Sequence, residues 1–288
     1  MEYADENKAQ WYTTFSIPKR SGGFRKIEAP NDDLKKDQHE ILKLLLTMYA
    51  PSKYAYGGIK KKNIAQAAEK HVKAKYKLKM DIHNFFGSTK GENIEKALKR
   101  NKSMPPEIAE KICYTCTNSE GVLPQGAPTS TFLANVSSER MMNAIGHACD
   151  NLGVTFTIYV YDMIFSCDDM EKLIKIGEIA RGILSRYGYC AKKEKTVFMR
   201  VKQEVLGLCA ARGKYHPRLP KKKRYYLKGV IHTIEKHIDN NEDVDMKLWK
   251  KVKGQIAFAN MAKDQWSGRF NAALLRLDTK LKRRNTNV

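Results

Sequence analysis

The chain has 288 residues, of which 42% are hydrophobic, and it carries a formal net charge of +22 at pH 7. This length suffices for one large domain or two to three packed subdomains, and no apolar run approaches the ~18 residues of a membrane-spanning helix. The opening MEYADENKAQ has neither the basic nor the apolar region of a signal peptide, so we expect a cytoplasmic protein without membrane contacts.

Positive charge is concentrated in one part of the sequence. Residues 186–228 hold 14 Lys or Arg against two Glu, a net charge of +12 and over half of the excess of the whole chain. Clustered cations and a sequence pI near 9.6 are typical of proteins that bind polyanions, most often nucleic acid. The clustering indicates a face that follows a phosphate backbone.

The six cysteines are scattered, and only Cys113 and Cys116 are close in sequence. No second pair completes a zinc site. The pattern is typical of free, partly buried thiols in a reducing cytosol.

The first half of the chain predicts a hairpin followed mainly by helices. Residues 11–30 form a pattern of two strands around the turn RSGG. Residues 32–50 have acids at their start and apolar residues at helical spacing, which predicts a helix that Pro51 ends. The predicted elements that follow are a helix over 63–75, a strand over 76–86 that runs into a turn, and helices over 91–100 and 105–117.

The second half predicts a second hairpin and a helical tail. The turn LPQGAPTS leads into one long predicted helix over 131–153, and the apolar runs FTIYV and MIFSC predict a hairpin with Asp162 at its tip. A helix over 170–188, two strands over 195–214 with a turn near Lys202, and a helical tail over 225–277 complete the order. This order predicts an α+β fold with helices beside an antiparallel sheet.

Two carboxylates stand at the ends of apolar strands. Asp81 follows KYKLKM, and Asp162 lies between the two runs of the second hairpin. A buried carboxylate needs a compensating partner such as a metal, although Asp81 taken alone also fits a turn. Acids from two strands of a basic protein suggest a divalent-cation site for phosphoryl transfer. We interpret Asp168 and Asp169 as solvated caps of the next helix.

The turn before the long helix suits a ligand. Gly126 and Pro128 bend the chain sharply, so that the backbone can lie close to a bound molecule, and Gln125 can hydrogen-bond to it. The alternative is a plain loop in which Thr129 or Ser130 caps the helix.

Three segments together resemble motifs A, B and C of reverse transcriptases, specifically of the bacterial group II intron and retron lineage. They are KLKMDIHNFF, GVLPQGAPTSTFLANV and IYVYDMIFS, in that order. GGFRKIEAPNDDLKKDQ resembles the N-terminal segment of that lineage, YGYCAKKEKTVFM its motif D, and QEVLGL its motif E. The resemblance implies a right-hand polymerase with fingers at 1–76 and 91–123, palm at 77–90 and 124–212, and a helical thumb at 213–288.

Motif C departs from the family pattern at one position. The family has Tyr-x-Asp-Asp at the hairpin tip, whereas the tip here consists of Tyr159, Val160, Tyr161 and Asp162. The resemblance implies two Mg²⁺ ions held by Asp81, Asp162, the backbone carbonyl of Ile82 and the aspartate that Tyr161 replaces. A phenol with a pKa of about 10 is neutral at pH 7, so we expect impaired catalysis. Natural loss of activity and alteration of a working enzyme both explain the tyrosine, and the intact remaining motifs favour the second.

The resemblance also implies roles in binding the incoming dNTP. Arg25, assisted by Lys19, would contact the triphosphate. The alternative is a surface charge on the hairpin, but a guanidinium suits bidentate phosphate contacts, which favours Arg25. Phe86 would exclude the ribose 2′-OH. Gln125 and Gly126 would line the nucleotide and template pocket.

Basic residues are given two further roles. Lys195 matches the motif D lysine, a candidate general acid for the pyrophosphate leaving group, although simple attraction of phosphate is nearly as good an explanation. The basic run Lys221, Lys222, Lys223 and Arg224 is predicted to contact the phosphates of a bound duplex.

Within the lineage the chain resembles retron enzymes, which are about this size. AAEKH keeps Ala68 and His71 of the retron N-A-x-x-H segment but has Ala67 for Asn, and Leu206 stands where retrons have Thr in V-T-G. The resemblance implies a polymerase that copies a structured non-coding RNA into branched msDNA, primed from a 2′-OH, for anti-phage defence with an effector protein. The alternatives are another defence-associated bacterial reverse transcriptase and a non-catalytic pseudo-polymerase that binds RNA or a hybrid.

Overall fold

The computed structural model of the chain describes residues 5–19, 22–200, 203–211, 216–262 and 265–286. The chain folds into two compact units. The first consists of 1–62, 78–165 and 170–197, and the second of 63–77, 166–169 and 198–288. Helices and short sheets alternate in the order that the sequence predicts, which confirms the α+β class.

The first unit opens with a two-stranded antiparallel sheet of β1 (Tyr12–Pro18) and β2 (Phe24–Pro30). Its helices are α1 (Asp32–Met48), α3 (Gly91–Leu98), α4 (Pro106–Cys116), α5 (Ser130–Ser137), α6 (Glu139–Leu152) and α7 (Met170–Arg186). Asn31 caps α1 by accepting a hydrogen bond from the backbone N–H of Leu34 at 2.9 Å, and two acids in the first turn favour the helix start.

Most of a four-stranded sheet also belongs to the first unit. Its strand order is β4 (Thr155–Tyr159), β5 (Asp162–Cys167), β3 (Tyr76–Asp81) and β6 (Val197–Met199). The hairpin β4–β5 is the one that the sequence predicts, with a two-residue turn at Val160 and Tyr161. Its buried face includes the stacked rings of Phe156 and Phe165, whose centroids lie 4.9 Å apart.

The second unit holds α2 (Ile64–Glu69), a small hairpin and the helical tail. The hairpin is β7 (Glu204–Val205) with β8 (Leu208–Cys209), and the tail consists of α8 (Lys221–Asp239), α9 (Met246–Asn260) and α10 (Gln265–Thr286). Trp249, Val252 and Ile256 of α9 are almost fully buried, and Leu227, Ile231 and Phe270 supply buried apolar residues of α8 and α10. The tail is therefore a packed three-helix unit.

Two sequence predictions about element boundaries are wrong, and a third is tested only in part. The helix predicted over 131–153 is interrupted at Ser138, where the backbone N–H and the hydroxyl both donate to the carbonyl of Ala134. The helix predicted over 63–75 ends at Glu69. The described residues of the 195–214 segment form three short strands with a turn at Leu206 and Gly207, while Lys202, the predicted turn, lies outside the described residues.

The second unit contains a buried polar network where α2 ends. His71 is fully buried, and its Nδ1 lies 2.7 Å from the hydroxyl of Ser166, which is also buried. The ammonium of Lys77 is buried as well and donates to Gln203 Oε1 at 2.7 Å. The turn that follows α2 carries the imidazole of His71 into the interior.

Candidate active site

The predicted carboxylates lie at the ends of neighbouring strands. Asp81 is the last residue of β3 and is only 3% exposed, and Asp162 is the first residue of β5. The backbone N–H of Ile82 donates to the carbonyl of Tyr161 at 3.0 Å, which joins the end of β3 to the hairpin tip. Motifs A and C therefore meet in this structure, as their alignment requires.

Each carboxylate has a lysine partner. Lys195 Nζ donates to Asp81 Oδ2 at 3.1 Å, and Lys192 Nζ lies 3.9 Å from Asp81 Oδ1. Lys79 Nζ lies 2.8 Å from Asp162 Oδ1. Three ammonium groups thus neutralise two carboxylates, and Lys195 contacts the motif A carboxylate that the sequence assigns to metal binding.

Sequence reasoning missed Lys79 and Lys192. Lys79 precedes Asp81 by two positions on the same strand, and side chains at i and i+2 share one face of a strand. That spacing could have placed Lys79 beside the site. Lys192 carried no comparable signal, because its approach to Asp81 depends on a backbone bond from its own N–H to the Asp81 carbonyl at 2.8 Å.

The backbone of the hairpin tip is held tightly by its neighbours. Val160 has a φ of +60°, a left-handed conformation that is a genuine outlier for a β-branched residue. The Tyr56 N–H donates to the Ile158 carbonyl at 2.8 Å, and a Cβ on Gly57 would stand 2.6 Å from the backbone nitrogen of Val160. Position 57 therefore needs glycine, and the tip that carries Tyr161 has little freedom to move.

The donor set at the tip does not fit a pair of Mg²⁺ ions. Asp81, Asp162 and the Ile82 carbonyl are oxygen donors of the kind that Mg²⁺ prefers. Directly before Asp162 in motif C, however, stands the phenol of Tyr161, where the resemblance implies a further carboxylate. Within the described ranges, no cluster of three or more His, Cys, Asp or Glu residues could hold a metal ion. Asp162 Oδ1 is buried and accepts no well-angled hydrogen bond from any described residue, so its charge is compensated only by the Lys79 contact.

The motif B turn packs against the N-terminal hairpin. The Gln125 carbonyl accepts from the backbone N–H of Glu28 in β2 at 2.9 Å. Gly126 has a φ of +145°, and a Cβ there would lie 2.7 Å from the Glu28 carbonyl oxygen. Only glycine permits this close backbone approach, so the sequence signal at Gly126 reflects a real steric need.

The other predicted nucleotide-binding residues lie on the surface of the first unit. Lys19 and Arg25 are exposed beside the turn of β1–β2. Phe86 is half-buried, with its ring centroid 5.8 Å from that of Phe85, which in turn lies 5.4 Å from Tyr189. The aromatic packing fixes Phe86 while part of its ring stays accessible.

The basic run at the start of α8 divides into two pairs. Lys221 and Lys222 are exposed. Lys223 Nζ donates to the carbonyl of Gly207 at 3.2 Å and lies 5.2 Å from the ring centroid of Phe258. The guanidinium of Arg224 lies over the ring of Trp266. The first pair is thus available to phosphates, and the second pair contacts the protein itself.

These features are the parts of a polymerase palm, and residues 17–211 match the family model described as "Reverse transcriptase (RNA-dependent DNA polymerase)". The chain belongs to the reverse transcriptase family. Its curated relatives are retron reverse transcriptases, which makes it a bacterial retron-type member of that family.

Three relatives illustrate the extent of the similarity. Retron Mx65 reverse transcriptase of Myxococcus xanthus is 30% identical over 67% of this chain and 49% of that protein. Retron Ec83 reverse transcriptase of Escherichia coli is 29% identical over 57% of this chain and 55% of its own length. Retron Ec86 reverse transcriptase, also of E. coli, is 26% identical over 77% of this chain and 70% of that protein. The chain thus spans about half the length of the first two.

Solved structures support the right-hand fold. Telomerase from Candida albicans in complex with a fragment of telomeric RNA matches with a TM-score of 0.55 at 11% identity, over 92% of this chain and 63% of that chain. Apo telomerase from Candida tropicalis matches with a TM-score of 0.52 at 12% identity, over 96% and 65%. Identities this low show the fold alone. Among the described residues, no helix combines the length and the apolar character needed to span a membrane.

Proposed function

We propose that this chain is the polymerase of a bacterial retron, which copies a structured non-coding RNA into branched msDNA in the cytoplasm and serves anti-phage defence with an effector protein. In the proposed reaction a 2′-OH of the RNA primes DNA synthesis from dNTPs. The family assignment, the retron relatives and the net +12 segment support this proposal. We further propose that Tyr161 leaves this form with little polymerase activity.

The geometry of the hairpin tip is the observation that carries the proposal. The strand ends that bear Asp81 and Asp162 are joined through the Ile82–Tyr161 backbone bond. These two strand ends are therefore joined as the alignment of motifs A and C requires, and motif C has a phenol where the family pattern has a carboxylate. A scaffold kept this closely is suited to binding a primer–template duplex even when chemistry is slow.

For the remaining residues we propose the roles that the family resemblance implies. Arg25 and Lys19, exposed at the hairpin, would bind the triphosphate, and Phe86 would select against the ribose 2′-OH. Gln125 and Gly126 would shape the nucleotide pocket from the turn.

The lysines at the carboxylates affect both proton transfer and metal binding. Lys195 would protonate the departing pyrophosphate, which requires that it leave Asp81 when substrate binds. Mg²⁺, the cation that we propose by family, would bind weakly because the carboxylates are already paired with lysines.

The second candidate function is a pseudo-polymerase that binds RNA or an RNA–DNA hybrid without copying it. The three lysines around two carboxylates favour this alternative, because the site is neutralised without any added cation. A defence-associated reverse transcriptase outside the retrons is the remaining alternative.

The nucleic acid that copurifies with the protein tests the proposal. We expect the chain, expressed with the non-coding RNA of its own locus, to retain that RNA, and the Tyr161→Asp form to yield DNA joined to it by a 2′–5′ branch. Sensitivity of the junction to a debranching enzyme identifies the branch, and Asp81→Ala in the Tyr161→Asp background is the control. Unbranched DNA would point to a different defence polymerase, and the absence of DNA in the Tyr161→Asp form would favour the pseudo-polymerase.

Salt dependence tests the proposed phosphate contacts of α8. Each contact with duplex DNA contributes about 0.9 to the slope of log K against log salt. We expect Lys221→Ala with Lys222→Ala to lower that slope by roughly two and the affinity at 0.1 M salt by roughly fifty-fold. Lys250 and Lys251, exposed on α9, provide the matched control pair. If the slope falls equally for the α8 variant and the α9 variant, Lys221 and Lys222 are solvent-exposed charges that make no specific phosphate contacts.

A further inference from the structure

A groove in the second unit lies between α8 and α10, and Trp266 lines it throughout. One end is lined by Lys221, Arg224, Tyr225, Lys228 and Trp266. The adjoining end has a volume of about 200 Å³, and its polar lining residues are Lys228, His232, Glu235, Trp266 and Arg269. We call this surface the Trp266 groove. All of its lining residues belong to the second unit, whereas the palm carboxylates belong to the first.

Cations crowd around the indole of Trp266. Lys228 Nζ lies 4.5 Å from the ring centroid, and the guanidinium carbons of Arg269 and Arg224 lie 5.0 Å and 5.4 Å from it. Each contact with the ring face is favourable, and together the three cations give the surface around Trp266 a positive charge that suits an anion.

The groove contains one acid, and that acid is engaged elsewhere. Glu235 accepts from Arg276 Nε at 2.9 Å and from Arg276 Nη2 at 3.0 Å, and Lys280 Nζ lies 3.4 Å from its Oε1. Lys221, at the first turn of α8, adds a charge where the helix dipole is already positive. The groove is therefore strongly positive.

Arg224 supplies a second and independent indication of a missing partner. Its Nε is buried and finds no hydrogen-bond acceptor among the residues that the structure describes. A buried donor without an acceptor is costly, and a phosphate oxygen is the acceptor that a guanidinium binds best. Arg224 also lines the groove, so a turn of its side chain would bring this nitrogen to a phosphate bound there.

Aromatic surface accompanies the charge. Tyr225 is 62% exposed, an unusual state for a large ring, and Lys221 Nζ lies 5.7 Å from its centroid. Exposed aromatic rings among cations are the arrangement by which proteins bind single-stranded nucleic acid, with bases stacked on rings and phosphates on Lys and Arg.

We propose that the Trp266 groove binds an unpaired nucleotide of single-stranded RNA, with the base against Trp266 or Tyr225 and the flanking phosphates on Lys228, Arg269 and Arg224. The proposal deepens the proposed function, on which it rests, by naming an unpaired segment of the RNA as the ligand of this groove. Drug-sized ligands occupy clefts of about 300–1,000 Å³, so the end of the groove with a volume of about 200 Å³ suits one planar base.

The test compares binding of a labelled 12-nucleotide single-stranded RNA with binding of a duplex of equal charge by fluorescence anisotropy. We expect Trp266→Leu to weaken binding of the single strand by roughly 5- to 150-fold, the range for loss of one base–aromatic stack. We expect Trp266→Phe, which keeps an aromatic face, to lose much less, and the duplex to be affected little by either change. Arg269→Gln should weaken single-strand binding, whereas Lys250→Gln on α9 should do so only slightly.

Equal losses for single strand and duplex would overturn the proposal, as would equal effects of Leu and Phe at position 266. Trp266 is half-buried, so thermal melting of each variant establishes that it is folded; if Trp266→Leu is unfolded, Arg269→Gln against Lys250→Gln decides the question. Primer extension by the Tyr161→Asp form is measured separately. If the Tyr161→Asp form extends primers but the groove variants bind the single strand normally, only the groove proposal is refuted. If the groove variants lose single-strand binding but the Tyr161→Asp form does not extend primers, only the proposed polymerase activity is refuted.

Discussion

Replacing Tyr161 by aspartate is expected to raise the rate of primer extension on an RNA template by roughly a thousandfold or more. Each 1.36 kcal/mol of transition-state stabilisation is a factor of ten in rate, and loss of a carboxylate beside the reacting phosphate removes several kcal/mol. The tyrosine side chain brings no carboxylate to this position. Aspartate would add a full negative charge where the resemblance to reverse transcriptases implies one.

The lysines around the carboxylates strengthen this expectation. At present Lys79, Lys192 and Lys195 face only two acids, Asp81 and Asp162. A third carboxylate changes the balance of charge from net positive to neutral, which favours entry of a divalent cation. The backbone of the tip is held by the same contacts in either form, so the substitution changes charge and size with little change in fold.

The measurement is steady-state extension of a DNA primer annealed to RNA, with Mg²⁺ varied. Tyr161→Phe is the matched control, because it removes the hydroxyl without adding charge and should gain nothing. Asp81→Ala in the Tyr161→Asp background should abolish the restored activity. If the tyrosine form already extends primers as fast as the aspartate form, another acid substitutes and the assignment of this site fails. RNA affinity should be nearly the same in both forms.

Lowering the pH is expected to destabilise the protein through His71. Burial lowers the pKa of this imidazole from 6.5 to about 3, so the folded state holds it neutral. The unfolded chain takes up a proton below pH 6.5, whereas the folded chain does so only near pH 3. The stabilisation is therefore complete above pH 6.5 and is lost between pH 6.5 and about 3, by up to about 1.36 kcal/mol per pH unit.

Urea unfolding between roughly pH 7 and pH 4.5 measures this loss. His71→Asn keeps a donor toward Ser166 but cannot titrate, so the difference in slope between the two proteins isolates the histidine from the carboxylates. We expect the free energy of unfolding to fall less steeply with acid in the Asn variant. Parallel curves for the two proteins would show that His71 is protonated in the folded state.

The sequence predicted most of the fold because its local signals agree with its packing. The hairpin β4–β5 has two apolar runs around a polar tip, and α1 has both an Asn cap and a periodic apolar face. The failures lie at the ends of elements, which local signals define poorly. α2 ends two residues before the fully buried His71, and the long predicted helix is interrupted at Ser138.

The candidate site was likewise predicted only in part from the sequence. Its acids and its glycine turn could be found from local sequence, but the lysines that neutralise them could not all be, because Lys192 reaches Asp81 from more than a hundred residues away. Asp168 has a contact that local sequence did not indicate, because its carboxylate accepts from the backbone N–H of Lys75 at 2.6 Å. Its role as a helix cap stays a prediction.

The left-handed valine at the hairpin tip bears on the age of the tyrosine beside it. A residue in such a conformation costs of order 1–3 kcal/mol, and glycine or asparagine would occupy the turn with less strain. Selection removes only those changes that harm function. A tip that no longer had a catalytic function would therefore be expected to acquire a less strained residue over many generations. Val160 has the strained conformation in this chain, and we therefore expect the substitution at Tyr161 to be younger than the turn, with ancestors that carried the carboxylate.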